Sequence, residues 1–133
     1  MKDIAGTINN KMIHNIDLAP TILSFAGIKV PSTMQGCDIN KIINAKKEID
    51  WRESFYYEHT IKQFPTIPVS QGLRTQRYKY LVYPESTPPY EELYDLKNDK
   101  DELDNLALKP NKKRLIEQIR TEFKKKQEIV LTH

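Results

Sequence analysis

The last part of the chain holds the element that most constrains the fold. Leu115, Ile116, Ile119 and Phe123 fall on one stripe of a helix, and Glu122 with Lys126 makes a favourable i,i+4 pair on the other side. One apolar stripe needs one apolar surface to lie on. The residues before it supply that surface as short alternating runs, so the pattern predicts an α+β layer arrangement.

Four runs read as strands. Glu53-Ser54-Phe55-Tyr56-Tyr57-Glu58-His59-Thr60 is aromatic-rich and places Phe55, Tyr57 and His59 on one face of an extended strand. The segment from Ile61 to Pro68, with two prolines, reads as a loop. Gly72-Leu73-Arg74-Thr75 and Tyr78-Lys79-Tyr80-Leu81-Val82-Tyr83 form an expected antiparallel hairpin turning through Gln76-Arg77, a pair without the usual Asn-Gly chemistry. After a loop from Pro84 to Pro89, Glu91-Glu92-Leu93-Tyr94-Asp95-Leu96 alternates as a fourth strand. Asp99 with Glu102 three residues on has capping-box spacing and predicts a short helical turn.

The front of the chain reads differently. Asp17 is placed to cap a short helix through Leu18, Ile22, Leu23, Phe25 and Ala26, with Pro20 in the tolerated first turn and Gly27 as its left-handed stop. The punctuated stretch from Lys29 to Gly36 follows as an irregular connection. The expected organisation is a helical arm with an irregular linker over 1–49, then a small antiparallel sheet of about four strands packed against a C-terminal helix over 50–133. The arm's apolar stripe has no evident partner: it either packs on the sheet or is a face left for a domain outside this chain.

Composition narrows the function classes. At 133 residues the chain suits one modest core, and its 21 Lys and Arg against 18 Asp and Glu are interspersed, so no strong field for nucleic acid is implied. The basic excess is local, in Lys112, Lys113 and Arg114 and again in Lys124, Lys125 and Lys126, where a solvated last turn complementing the helix dipole competes with a phosphate or membrane-surface patch. No run approaches a membrane span, and the start lacks the apolar region of a signal peptide. Cys37 is the single cysteine and cannot form an internal disulfide.

An ordered set of motifs resembles one family. Asn15-Ile16-Asp17-Leu18-Ala19-Pro20-Thr21-Ile22-Leu23, Ala26-Gly27-Ile28 and Met34-Gln35-Gly36 are similar to the segment that follows the catalytic core of type I, formylglycine-dependent sulfatases, in the arylsulfatase/alkaline phosphatase-like superfamily. Phe55-Tyr56-Tyr57-Glu58-His59, Gly72-Leu73-Arg74-Thr75 with Tyr78-Lys79-Tyr80, and Glu92-Leu93-Tyr94-Asp95-Leu96 through Asp99, Glu102, Asn105 and Leu106 resemble the same family's C-terminal subdomain. Lys100 stands where the family often has Pro, and Cys37-Asp38 replaces a residue-Ser pair.

The resemblance implies a sulfuric ester hydrolase, acting on sulfated carbohydrate or another sulfate ester, whose chemistry lies elsewhere. The family's nucleophile is a formylglycine in a Cys/Ser-x-Pro-x-Arg context, whereas Cys37 is followed by Asp38, Ile39, Asn40 and Lys41. Formylglycine and calcium are therefore expected in a catalytic domain outside this chain, with no catalytic residue and no metal here. The family also implies a periplasmic or extracellular parent. The expected partners are that catalytic domain, the sulfated substrate once the two are joined, and another copy of the chain, with no nucleic acid and no membrane. A free-standing interaction module is a second reading. A small basic nucleic-acid binder is a third, opposed by Glu58, Asp95, Asp99, Asp101, Glu102 and Asp104.

Three side chains are substrate-binding candidates. His59 ends a strand whose edge, by resemblance, approaches the substrate cleft, and it is either a ligand to a sugar hydroxyl or sulfate or a strand-end His with a structural bond. Arg74 either clamps an anion or pairs with a nearby strand acid. Gln71 lies where the loop enters that strand. The tyrosines at 56, 57, 78, 80, 83, 90 and 94 read as core or as a stacking platform.

Overall fold

The computed structural model describes residues 6–45, 47–61 and 67–132. These fall into two compact units, Met1–Glu53 and Ser54–His133.

In the first unit a 3-10 turn, Asn15–Asp17, leads into α1, Leu18–Phe25, and a second short helix, α2, spans Asn40–Ile43 within the expected linker. Helix α1 ends as the sequence predicts. Gly27 has φ +71°, its N–H donates to the Ser24 carbonyl, and the Ile28 N–H reaches back to Leu23 at 2.9 Å, a Schellman closure. Its start differs from expectation. Asp17 is helical and fully buried, and does not cap α1: its carboxylate accepts from the His14 N–H at 2.8 Å, the Cys37 N–H at 2.7 Å and both terminal nitrogens of Arg52. A buried carboxylate gains more from a guanidinium than from helix amides that neighbouring turns already satisfy.

One turn on, the Thr21 hydroxyl accepts from the Ile39 N–H at 2.9 Å, so Asp17 and Thr21 together hold the returning strand of chain. Gly36 is required there, because a Cβ would lie 2.0 Å from the Ile16 carbonyl oxygen. Trp51 donates its indole N–H to the Met12 carbonyl at 2.7 Å. Trp51 and Arg52 thus bind back into the first unit, which is why the units divide at 53/54 where the sequence reading divided the chain at 49/50.

The second unit is a four-stranded antiparallel sheet in the order β1-β2-β3-β4, with β1 Ser54–His59, β2 Ser70–Thr75, β3 Tyr78–Tyr83 and β4 Tyr90–Asp95. Helix α3, Lys113–Leu131, packs on one face. The core is Leu73, Tyr80, Leu93, Leu106, Ile116, Ile119 and Phe123, with the Tyr80 and Phe123 rings edge to face at 5.4 Å. The α+β arrangement and the helical stripe agree with the sequence.

One local signal held through side-chain bonds, and another did not hold. The Gln76-Arg77 turn works because the Thr75 hydroxyl accepts from the Arg77 and Tyr78 N–H groups and Arg77 forks onto Asp95. The Asp99/Glu102 capping box starts no helix: Glu102 has φ +56° and turns its carboxylate to Lys79, while Asp99 accepts from the Leu103 and Asp104 N–H groups. The next turn instead begins at Asn105, whose side chain bonds Ala107 N–H and also the Leu93 N–H and Glu91 carbonyl, capping a 3-10 turn and the β4 edge at once.

Two outcomes are expected. Burial alone would raise the Asp17 carboxyl, but Arg52 and the Cys37 and His14 amides hold it below the usual carboxylate value. A group whose pKa is lowered on folding contributes stability above its unfolded pKa of about 4 and loses it as pH falls through the folded value. Emission of Trp51, the single tryptophan, should therefore report an acidic transition of the first unit that the Asp17→Asn variant lacks. That variant should cost about 3–5 kcal/mol in urea, because Arg52 is left without its counter-charge. In the second unit a Cβ on Gly72 would lie 2.4 Å from a Tyr57 ring carbon. Gly72→Ala should thus destabilise the sheet by about 1–3 kcal/mol.

Candidate functional site

Strand register sorts every side chain of the sheet onto one of two faces. Leu73 and Tyr80 pair across β2 and β3, and Leu93 faces Tyr80 from β4. These residues are in the core, so their alternates form the open face. The open face has three rows. One end row carries His59 opposite Ser70 and Tyr83 opposite Tyr90; the middle row is Tyr57, Gly72, Leu81 and Glu92; the other end row is Phe55, Arg74, Lys79 and Tyr94.

His59 and Arg74 therefore share a face, as period-two spacing requires, but lie four positions apart along the paired strands, about 13 Å. Gln71 is not with them. It sits on the helix side, where its amide oxygen accepts from Gln127 at 3.1 Å. The Nε2 of His59 is sealed from solvent and has no hydrogen-bond partner among the described residues, a situation that costs about 1–3 kcal/mol unless a partner is supplied. Arg74 donates to the Thr75 carbonyl and sits across from Lys79, whose ammonium is already paired with Glu102. On this face Lys79 makes an ion pair of the kind weighed for Arg74, with Glu102 from the turn after β4.

The middle row joins these ends. The Tyr57 ring lies over Gly72, the one position on β2 with room for it. Burial, then the Glu102 and Glu92 charges, pushes the Tyr57 phenol up to about 12. Tyr83 donates to Glu92 at 3.2 Å, and burial followed by that carboxylate pushes it up to about 12 as well. The Tyr83 and Tyr90 rings are 5.9 Å apart.

This face offers aromatic surfaces, hydroxyls, the carboxylates of Glu92 and Glu102, and cations. Such groups bind and orient a polar ligand; they do not make a nucleophile and base pair. Sequence reading missed Lys79, Glu92 and Glu102 as its neighbours. Lys79 and Glu92 come to the face of Arg74 only through the registers of β2, β3 and β4, and Glu102 arrives through its left-handed backbone. The described residues do not fit a calcium site, since no three His, Cys, Asp or Glu side chains converge. Cys37 belongs to the first unit, with its N–H on Asp17.

Residues 2–129 match the family model described as N-sulphoglucosamine sulphohydrolase, C-terminal, and the chain belongs to that family. It is 33% identical over 111 residues to an N-acetylglucosamine-6-O-sulfatase of Bacteroides thetaiotaomicron, covering 77% of this chain and 19% of that protein. It is 29% identical over 117 residues to human arylsulfatase K, covering 79% of this chain and 20% of the relative. Among solved structures, BT4656 in complex with its substrate D-glucosamine-2-N,6-O-disulfate superimposes with a TM-score of 0.75 at 28% identity, over 84% of this chain and 23% of that one. The chain thus spans about a fifth of the length of the curated relatives it matches.

The alkaline titration of the phenols should carry this geometry. Tyr57 and Tyr83 should ionise near 12 rather than near 10, and Glu92→Gln should bring the Tyr83 midpoint down, as followed by phenolate absorbance. A single transition at the free-tyrosine value would contradict the packing described for the middle row.

Proposed function

We propose that this chain is the C-terminal part of a sulfatase for sulfated carbohydrates, contributing support and one wall of the substrate cleft to a catalytic part outside it. The observation that carries this reading is the family match over residues 2–129. Relatives over this stretch include an N-acetylglucosamine-6-O-sulfatase and a delta 4,5-hexuronate-2-O-sulfatase, so a sulfated sugar is the substrate class proposed for the joined enzyme. Formylglycine and calcium belong, in this reading, to the catalytic part. When bound there they supply the nucleophile and the charge that offsets the sulfate.

The residues of this chain bind and orient. His59 brings an imidazole nitrogen that lacks a partner among the described residues, suited to a sugar hydroxyl or sulfate oxygen. Arg74 brings a guanidinium that donates to the Thr75 carbonyl and is suited to an anion. At about 13 Å apart they do not grip one small group together, so each addresses a different part of an extended substrate. Gln71, bonded to Gln127, serves the sheet-helix contact in this account.

The test joins this chain to the catalytic part of the B. thetaiotaomicron N-acetylglucosamine-6-O-sulfatase. His59→Ala should raise KM for the sulfated sugar about 2- to 13-fold, the equivalent of a neutral hydrogen bond of about 0.5–1.5 kcal/mol, with kcat held. The effect should shrink for a small aryl sulfate that does not reach this face. Equal losses of kcat on both substrates would instead place His59 in the catalytic constellation. The isolated chain should show no turnover of a chromogenic aryl sulfate, and turnover that survives repurification would contradict the division of labour.

A further inference from the structure

Helix α3 carries the net charge of the molecule. Between Lys113 and Leu131 it holds six Lys and Arg against three Glu, a surplus of three that equals the surplus of the whole 133-residue chain. Beside it the second unit forms a cleft of about 430 Å³, between the turns over 106–112 and the first two turns of the helix. That volume lies in the range of about 300–1,000 Å³ found for small-molecule sites. Leu108, Pro110 and Ile116 give the cleft an aliphatic lining, and Lys109, Lys113 and Arg120 bring three cations to it. Lys109 comes from the turn and Arg120 from seven residues along the helix, so no charge run in the sequence shows the set. The three are held differently. Arg120 gives two of its five N–H groups to Glu91, which fixes the guanidinium and leaves donors to spare. Lys109 pairs with Asp104 at the surface, where the side chains are 42% and 53% exposed, a contact that yields readily. Lys113 is exposed and makes no ion pair among the described residues.

We infer that this cleft binds a segment of a sulfated saccharide chain, its sulfate groups at Lys109, Lys113 and Arg120, a second contact with the substrate class proposed above, on which the inference rests. Glu117 selects among polyanions. Its carboxylate lines the same cleft, on the same side of α3 as Lys113 and Arg120. A run of acidic side chains in a peptide would meet it as a like charge, whereas a sulfated saccharide carries hydroxyls between its sulfates, and a carboxylate accepts hydrogen bonds from hydroxyls. The aliphatic lining suits the C–H faces of sugar rings. The cleft belongs to the helix layer, while His59 and Arg74 lie on the open face of the sheet. A ligand that touches both must be a chain.

Calorimetric titration of the whole chain with a heparin tetrasaccharide tests this. Binding should be about ten-fold or more tighter than that of the desulfated tetrasaccharide, of a hexaglutamate peptide, and of inorganic sulfate or phosphate, as several exposed charge contacts together allow. Lys113→Gln should weaken it about three-fold, Leu108→Ser should weaken it too, and Glu117→Gln should tighten it. Lys125→Gln, on another side of α3, should leave it unchanged. All four side chains are exposed, so each variant should keep the circular dichroism of the parent. Equal weakening by Lys113→Gln and Lys125→Gln would mean a diffuse cationic surface and overturns the inference. Tighter binding of hexaglutamate also overturns it, since the cleft would then belong to an acidic protein segment. The unaltered chain decides independently of any variant: the tetrasaccharide should move the amide resonances of residues 107–120 more than those of 121–131, and the reverse contradicts the inference. Sulfate release by this chain joined to the catalytic part of the B. thetaiotaomicron N-acetylglucosamine-6-O-sulfatase tests the functional reading separately. Release without tetrasaccharide binding sinks the cleft alone; binding without release sinks the functional reading alone.

Discussion

Burial of Leu73, Tyr80 and Leu93 beneath Ile116, Ile119 and Phe123 is the interaction on which the second unit depends. Strand side chains alternate strictly, so fixing these three on the helix side fixes every other position of β2, β3 and β4. A one-residue slip would put Gly72, Leu81 and Glu92 under the helix and expose the core. The open face is thus set by the covered face. His59, Tyr57, Arg74, Lys79 and Glu92 are gathered there because they are out of phase with the core. Polar groups on the helix side are matched inside the unit, as Tyr80, Glu91 and Arg120 are with one another.

The first unit is organised by a charge instead of a core. Asp17 has no exposed surface and binds three separated points of the chain, His14, Cys37 and Arg52. Few apolar side chains are buried around it, and the large ones of α1 face outward. A small unit held by one ion pair while its apolar surface stands uncovered is consistent with a segment that completes its packing against other polypeptide. This contrast between the units links the fold to the functional proposal: one is self-sufficient in burial, and the other is not.

Legibility in the sequence followed the same physical line. The α3 stripe, the alternation of the strands and the Gly27 stop are local, periodic signals, and each appears as expected. Arg52 is 35 residues from Asp17, so the ion pair that decides the first unit has no local signature, and Asp17 read as an N-cap because that is what Asp before an apolar helix usually is. The Asp99/Glu102 spacing failed because a positive φ at Glu102 sends its side chain to Lys79, a choice made by the sheet and not by the four residues. Parity put Phe55, Tyr57 and His59 on one face of their strand, but the sharing of that face with Arg74, and the bond of Gln71 to Gln127, required the strand register and the position of α3. The edge-capping role of Asn105 was likewise invisible, since a loop amide copies the hydrogen bonds of a strand without any strand-like pattern.

The most direct measurement is sulfate release from N-acetylglucosamine 6-sulfate by the B. thetaiotaomicron N-acetylglucosamine-6-O-sulfatase after its own matching C-terminal fifth is removed and this chain is put in its place. The account predicts that the truncated enzyme is inactive and that this chain restores turnover. A substituted protein that unfolds cooperatively yet releases no more sulfate than the truncated enzyme would contradict it.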